Sequence, residues 1–166
     1  MKIISKSAEI GGKTITLEVG RFAEQATAAV LARYGDTMVL ATVTSSSKET
    51  SLDYFPLSVE YVERLYAGGR IIDRSIRPLF PKSYKHDVQV VITVLSVDGV
   101  NDPDMLGLVA VSAAIAISPI PWNGPIGGVR MGYMEEKDGQ KAAYVINPTL
   151  AEQALSEFHF VIASSK

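Results

Sequence analysis

Apolar and polar residues alternate over Met1 to Ala8 and again over Lys13 to Val19, either side of Gly11-Gly12. A period of two interrupted by a glycine pair predicts a β-hairpin. The pattern recurs over Ala28 to Tyr34 and Thr37 to Thr44 around Gly35-Asp36, so two hairpins are expected to share one sheet. Ser45 to Ser51 is polar and reads as a loop, and Leu57 to Val62 reads as a strand after the break at Pro56. Val88 to Val97 is nearly continuous in β-branched residues. That is the pattern of a strand buried on both faces, and it is the expected middle of the sheet. Met105 to Ile117 is small and apolar almost all round, which predicts a core helix, and Asp102-Pro103 just before it suits a helix start. Ile126 to Met134 and Lys141 to Ile146 flank Asp138-Gly139 as a further hairpin. Leu150 to Leu155 reads as a short helix capped by Thr149, and Phe158 to Ala163 as a last strand.

One stretch departs from simple amphipathic patterning. Glu60 to Lys82 gathers Arg64, Arg70, Arg74 and Arg77 beside glycine and proline breaks. A helix over Ile71 to Arg77 places Arg74 and Arg77 on one face, with Ile72, Ile76 and Leu79 on an apolar side that packs down. Such a helix would begin with Gly69 and Arg70 before it, without a Ser, Thr, Asp or Asn cap and with a cation at its positive end. Guanidinium forks match phosphate, so a polyphosphate or a nucleic-acid backbone is the ligand class this cluster suits. The competing reading is that Asp73 pairs with Arg77 at the i, i+4 spacing and that the remaining arginines are ordinary surface.

Composition narrows the remaining classes. Sixteen basic and eighteen acidic residues give a formal net charge of −2, so nucleic-acid binding must be a local patch rather than a global property. With 166 residues and 47% hydrophobic composition, one domain with a real core is expected. There are no cysteines, which excludes disulfides, thiolate metal sites and thiol catalysis. The start lacks a signal series and the longest apolar run, Met105 to Ile117, is too short to cross a bilayer, which leads to the expectation of a cytoplasmic protein without a membrane partner.

Candidate chemistry elsewhere is thin. Asp98, Asp102 and Asp104 lie around Asn101 and Pro103 and read as turn and cap residues rather than a metal cluster. His86 adjoins Asp87, but neighbours in a strand point to opposite faces, which argues against an acid/base pair. Gly68-Gly69 and Gly124 to Gly128 lack the spacing of a phosphate loop and the setting of a dinucleotide fingerprint. Trp122, Tyr54, Phe55, Tyr61 and Tyr66 could stack on bases, yet aromatic residues in this setting read first as packing.

The segments YVERLYAGGR and IDRSIRPLFP, with QATAAVLARYGDTMVLATV, DYFPLSVEY, VQVVITVLSVDGVNDPD, SPIPWNGPIGGVRMGY and YVINPT in the same order, carry a resemblance over nearly the whole chain. The sequence resembles the first core domain of the bacterial polynucleotide phosphorylases. The resemblance implies an α+β, RNase PH-like fold with a mixed β-sheet packed against helices. It implies one domain over residues 1–166 that stops short of the family's domain end. It further implies 3′ to 5′ phosphorolytic decay of RNA to nucleoside diphosphates, with inorganic phosphate as co-substrate and a homotrimer forming a six-domain ring with further domains of the same protein. Mg2+ and the catalytic residues are assigned by the family to its second domain, so no catalytic or metal-binding residue is expected in this chain. Arg74 and Arg77 stand where the family has an arginine pair, so RNA contact is implied for them, with Arg70 alongside; Ser75 stands where proline is usual. The family also carries a glycine-, phenylalanine- and arginine-rich loop, credited with gripping RNA, that has no counterpart here near residues 70–72. Two alternatives stay open: a noncatalytic RNA-binding or ring-scaffold subunit, as in exosome-like assemblies, and a self-sufficient ribonuclease of the RNase PH type, whose catalytic carboxylates are not seen.

Overall fold

The computed structural model describes residues 2–62, 67–136 and 141–165. Six strands form the main sheet: β1 (Ile4–Ile10), β2 (Lys13–Val19), β3 (Ala28–Tyr34), β4 (Thr37–Glu49), β5 (Leu57–Val62) and β6 (His86–Ser96), in the spatial order β1-β2-β3-β4-β6-β5. All neighbours are antiparallel except β5 and β6, which run parallel. The parallel pair requires a crossover, and helix α1 (Ala67–Ile76) with a short 3-10 helix (Arg77–Leu79) lies in that connection. Helix α2 (Pro103–Ala116) then packs on β3, β4 and β6, and a second sheet follows: β7 (Ile126–Met134), β8 (Ala143–Ile146) and β9 (Phe158–Ser165), ordered β8-β7-β9, with the short α3 (Leu150–Leu155) before β9.

Both glycine-centred hairpins form. Gly11 and Gly12 take φ of +58° and +75°, the backbone that a two-residue turn demands, and Ile10 pairs with Lys13 across it. Asp102 caps α2 by accepting from the Asp104 amide at 2.9 Å, and Thr149 caps α3 in a reciprocal box with Glu152. The core lies between the main sheet and the two longer helices. Val39, Ala41 and Val43 of β4 and Val90 and Ile92 of β6 meet Ile72 and Ile76 of α1 and Leu108, Val111 and Ala114 of α2, all fully buried.

Three expectations need correcting. The polar residues 45–49 continue β4 rather than forming a loop, because Glu49 still pairs with His86 past an irregularity in the ladder. β6 is not the sheet's middle: it lies between β4 and the edge strand β5, and only its Val88, Val90 and Ile92 face is fully buried, while Gln89 on the other side is exposed and Val91 and Thr93 are half-buried. The last three strands, to which the sequence assigns no sheet, form one of their own. α1 starts no later than Ala67, four residues ahead of the expected Ile71. The Asp138-Gly139 turn lies outside the described residues.

The second sheet leaves one face open. Tyr133 stacks on Phe158 with ring centroids 5.4 Å apart, and Tyr144 and Ile146 beside them are each 63% exposed. Phe158, Phe160 and Ile162 continue this apolar face along β9.

Candidate nucleic-acid interface

α1 presents two different faces because its apolar residues recur at helical spacing. Ile72 and Ile76 are buried completely, while Arg70, Arg74 and Arg77 stand on the solvent side. With β5, this side forms a cleft of about 840 Å3 lined by Val59, Glu60, Tyr61, Gly69, Arg70 and Asp73 among others, and by Arg74 and Arg77. Arg64 and Tyr66, also singled out from the sequence, lie outside the described residues.

The three arginines are not equivalent. Arg77 donates to Asp73 through Nε at 3.1 Å and Nη2 at 2.5 Å, and Nη2 also donates to the Leu57 carbonyl at 3.0 Å. Its charge is therefore answered within the chain, and the side chain braces α1 against β5. Arg70 and Arg74 make no ion pair with any described residue. They are one helical turn apart, about 6 Å along the axis, so both guanidinium groups can meet one extended anionic chain. All three stand on the solvent side, and the two without an ion-pair partner among the described residues are Arg70 and Arg74, while Arg77 is engaged with Asp73.

Behind the cleft lies a buried polar junction. Arg130 of β7, only 8% exposed, reaches Asp102 Oδ2 at 2.5 Å and Asp104 Oδ2 at 3.5 Å. Burial and the neighbouring Asp102 charge raise the Asp104 carboxyl above the ordinary aspartate range, and a hydrogen bond from Tyr61 together with Arg130 opposes that rise. Sequence reasoning passed over Arg130 and read Tyr61 only as a packing or stacking aromatic. A lone arginine between Val129 and Met131 in an otherwise apolar strand was the available signal, because such a residue needs a buried partner.

The other candidates resolve into structural roles. Asp98 accepts from the amides of Val100 and Asn101 at 2.8 Å and of Asp36 at 3.1 Å. Partial desolvation acts against ionisation there, but these amides and the Asn101 side chain hold the carboxyl well below the usual range. The His86 ring faces the Ser46 carbonyl at 3.0 Å, and Asp87 does not pair with it. Trp122 packs near Phe80, centroids 6.3 Å apart, and its indole N–H points at the Ile76 carbonyl. Among the described residues, no three His, Asp or Glu side chains converge as a cation site. The carboxylates of Asp102 and Asp104 do not fit a Mg2+ ion, since Arg130 already lies against both.

A family model described as the 3′ exoribonuclease family, domain 1, matches residues 11–121. The chain belongs to that family. Members among the curated relatives include the polyribonucleotide nucleotidyltransferase of Roseiflexus castenholzii, 44% identical over 187 positions that take in 99% of this chain. That of Heliobacterium modesticaldum is 46% identical over 182 positions and 96% of the chain. The chain spans only about a quarter of the length of these relatives, 24% and 25% respectively. An alignment of 187 positions exceeds the 166 residues present, so the first relative carries residues within the matched stretch that this chain lacks. Among solved structures, the family fold recurs in an Archaeoglobus fulgidus exosome with RNA bound to its active site, at a TM-score of 0.70 and 17% identity over 99% of this chain and 73% of that one. Rice Rrp46 matches at a TM-score of 0.65 and 15% identity over 92% of this chain and 80% of that one. The α+β, RNase PH-like fold with its mixed sheet is therefore shown by both kinds of comparison.

Proposed function

We propose that this chain is the first core domain of a phosphorolytic 3′ to 5′ exoribonuclease and that it contributes RNA contact and ring assembly rather than catalysis. The observation that carries the reading is the pair Arg70 and Arg74, exposed one turn apart on α1 without a partner among the described residues. Family membership and relatives named polyribonucleotide nucleotidyltransferase supply the reaction class: inorganic phosphate attacks the terminal phosphodiester and a nucleoside diphosphate leaves. In this reading Mg2+ and the acid/base groups belong to a second domain of the longer protein, and the cytoplasm is its compartment. Among the described residues no helix is long and apolar enough to cross a membrane.

Ring assembly, as a homotrimer with six core domains, is supported by the likeness to exosome core structures and by the open apolar face of β7, β8 and β9. The residues that the longer relatives carry within the matched stretch are placed in this reading near residues 70–72, as a loop at the mouth of the channel. The noncatalytic scaffold alternative draws on a single fact: Asp98, Asp102 and Asp104 are all engaged in turn, cap and ion-pair contacts.

Binding of a fluorescein-labelled oligo(A) to the 166-residue chain, followed by anisotropy across a salt series, tests the contact. Arg70→Gln and Arg74→Gln should each lower the slope of log K against log salt by about 0.7 and weaken binding roughly fivefold near 0.1 M salt. Arg77→Gln should leave the slope within about 0.3 of the parent. Equal slopes for all four proteins would remove the arginine contact from the account.

A further inference from the structure

The start of α1 is a poor helix on its own terms. Its described residues open Ala67-Gly68-Gly69-Arg70, two consecutive glycines are the weakest helix formers short of proline, and the first turn has no acidic residue to favour it. Yet the segment is helical and both glycines are buried. Something outside the helix must hold this turn in place.

The contact is visible at the glycines themselves. A Cβ on Gly68 would run into the Asp104 carboxyl and come within 3.0 Å of the Tyr61 ring, and a Cβ on Gly69 would lie 3.2 Å from Tyr61 Cβ. The bare backbone of α1 thus rests on these two side chains. The Tyr61 ring and the Asp104 carboxyl meet at Gly68, Arg130 lies 3.5 Å from that carboxyl, and Asp102 fixes Arg130 in turn from the cap of α2. Four elements, β5, α1, α2 and β7, meet at this junction, and Arg70 is the next residue along the helix.

We propose that Tyr61 and Asp104 form a seat for the glycine turn of α1 and act as positioning residues for Arg70, so that RNA affinity depends on side chains that hold the helix rather than the phosphate. The inference rests on the RNA-contact reading given above. Weakening the seat lets the glycine turn fray, and the guanidinium of Arg70 then spends less time where the phosphate lies. Arg74, a full turn further along and anchored between buried Ile72 and Ile76, is affected less.

A double-mutant cycle on oligo(A) binding separates this from a general loss of stability. Tyr61→Phe keeps the ring and removes the hydroxyl that favours the charged Asp104 carboxyl, so it should fold. It should weaken binding about two- to fivefold in the parent, no more than Arg70→Gln itself, measured well below the melting transition, and should have almost no further effect in an Arg70→Gln background. Gly68→Ala, which displaces the turn from its seat, should show the same dependence on Arg70. If Arg70→Gln weakens binding but Tyr61→Phe and Gly68→Ala bind like the parent, the seat is overturned while the RNA reading stands. If the losses are equal with and without Arg70, the positioning role is likewise overturned. If the parent chain does not bind oligo(A), or Arg70→Gln binds as well as the parent, the RNA reading itself falls and the seat falls with it.

Discussion

Replacing Arg130 with alanine is expected to cost about 3–5 kcal/mol of folding stability, because the loss of one member of a buried ion cluster strands the others. Arg130 is 8% exposed and lies against Asp102 and Asp104, whose side chains are 8% and 20% exposed. Truncation leaves two carboxylates facing each other at the junction of α2 and β7, without the guanidinium that offsets their repulsion. Water cannot reach that junction freely, so the charges must be desolvated, protonated or exposed by opening the seam. Urea unfolding should show a lower midpoint with the slope unchanged. Neutralising the carboxylates at the same time, as Arg130→Met with Asp102→Asn and Asp104→Asn, should recover most of the loss, since asparagine still caps a helix and no buried charge remains. A loss under about 1 kcal/mol for Arg130→Ala would mean that the cluster is effectively solvated.

The second large effect is expected where α2 meets β7. Leu108 is fully buried, and a Cβ on Gly128 would collide with its side chain. Leu108→Ala should cost about 2–5 kcal/mol by removing packed atoms and leaving a cavity. Gly128→Ala should cost about 1–3 kcal/mol by overpacking the same spot from the strand side. The two changes oppose each other in volume. The double variant should therefore be less destabilised than the sum by about 1 kcal/mol or more, a coupling that distant sites do not show. Thermal or urea unfolding of the four proteins measures it, and strict additivity would contradict the close approach of α2 to β7.

Local signals were legible in the sequence, and long-range ones were not. The Gly11-Gly12 turn, the Asp102 cap and the Thr149 cap each follow from residues within a few positions of one another, and each formed as read. The separation of β7, β8 and β9 into their own sheet depends on which strands find each other across the chain, which alternation cannot specify. Gly68-Gly69 looked like a break before a helix because glycine is a weak helix former; contact with Tyr61 and Asp104 reverses that preference, and those residues are distant or uninformative in sequence. The arginine cluster was visible as a cluster. The pairing of Arg77 with Asp73 was also visible at its i, i+4 spacing, and the structure adds the Leu57 carbonyl that fixes Arg77 as a brace. The Arg130 junction escaped notice because its members come from two separate segments, 28 residues apart in the case of Arg130 and Asp102.

The central proposal is a division of labour, in which this domain would hold RNA and build the ring while phosphate, Mg2+ and the acid/base groups would act elsewhere in the longer protein. Asp98, Asp102 and Asp104 are engaged in structural contacts, and His86 faces a backbone carbonyl. The most direct measurement is release of nucleoside diphosphate from poly(A) by the purified 166-residue chain, with inorganic phosphate and Mg2+ present. The account predicts release no greater than in a protein-free control. Release that rises with phosphate concentration would contradict it and place a complete catalytic site within these residues.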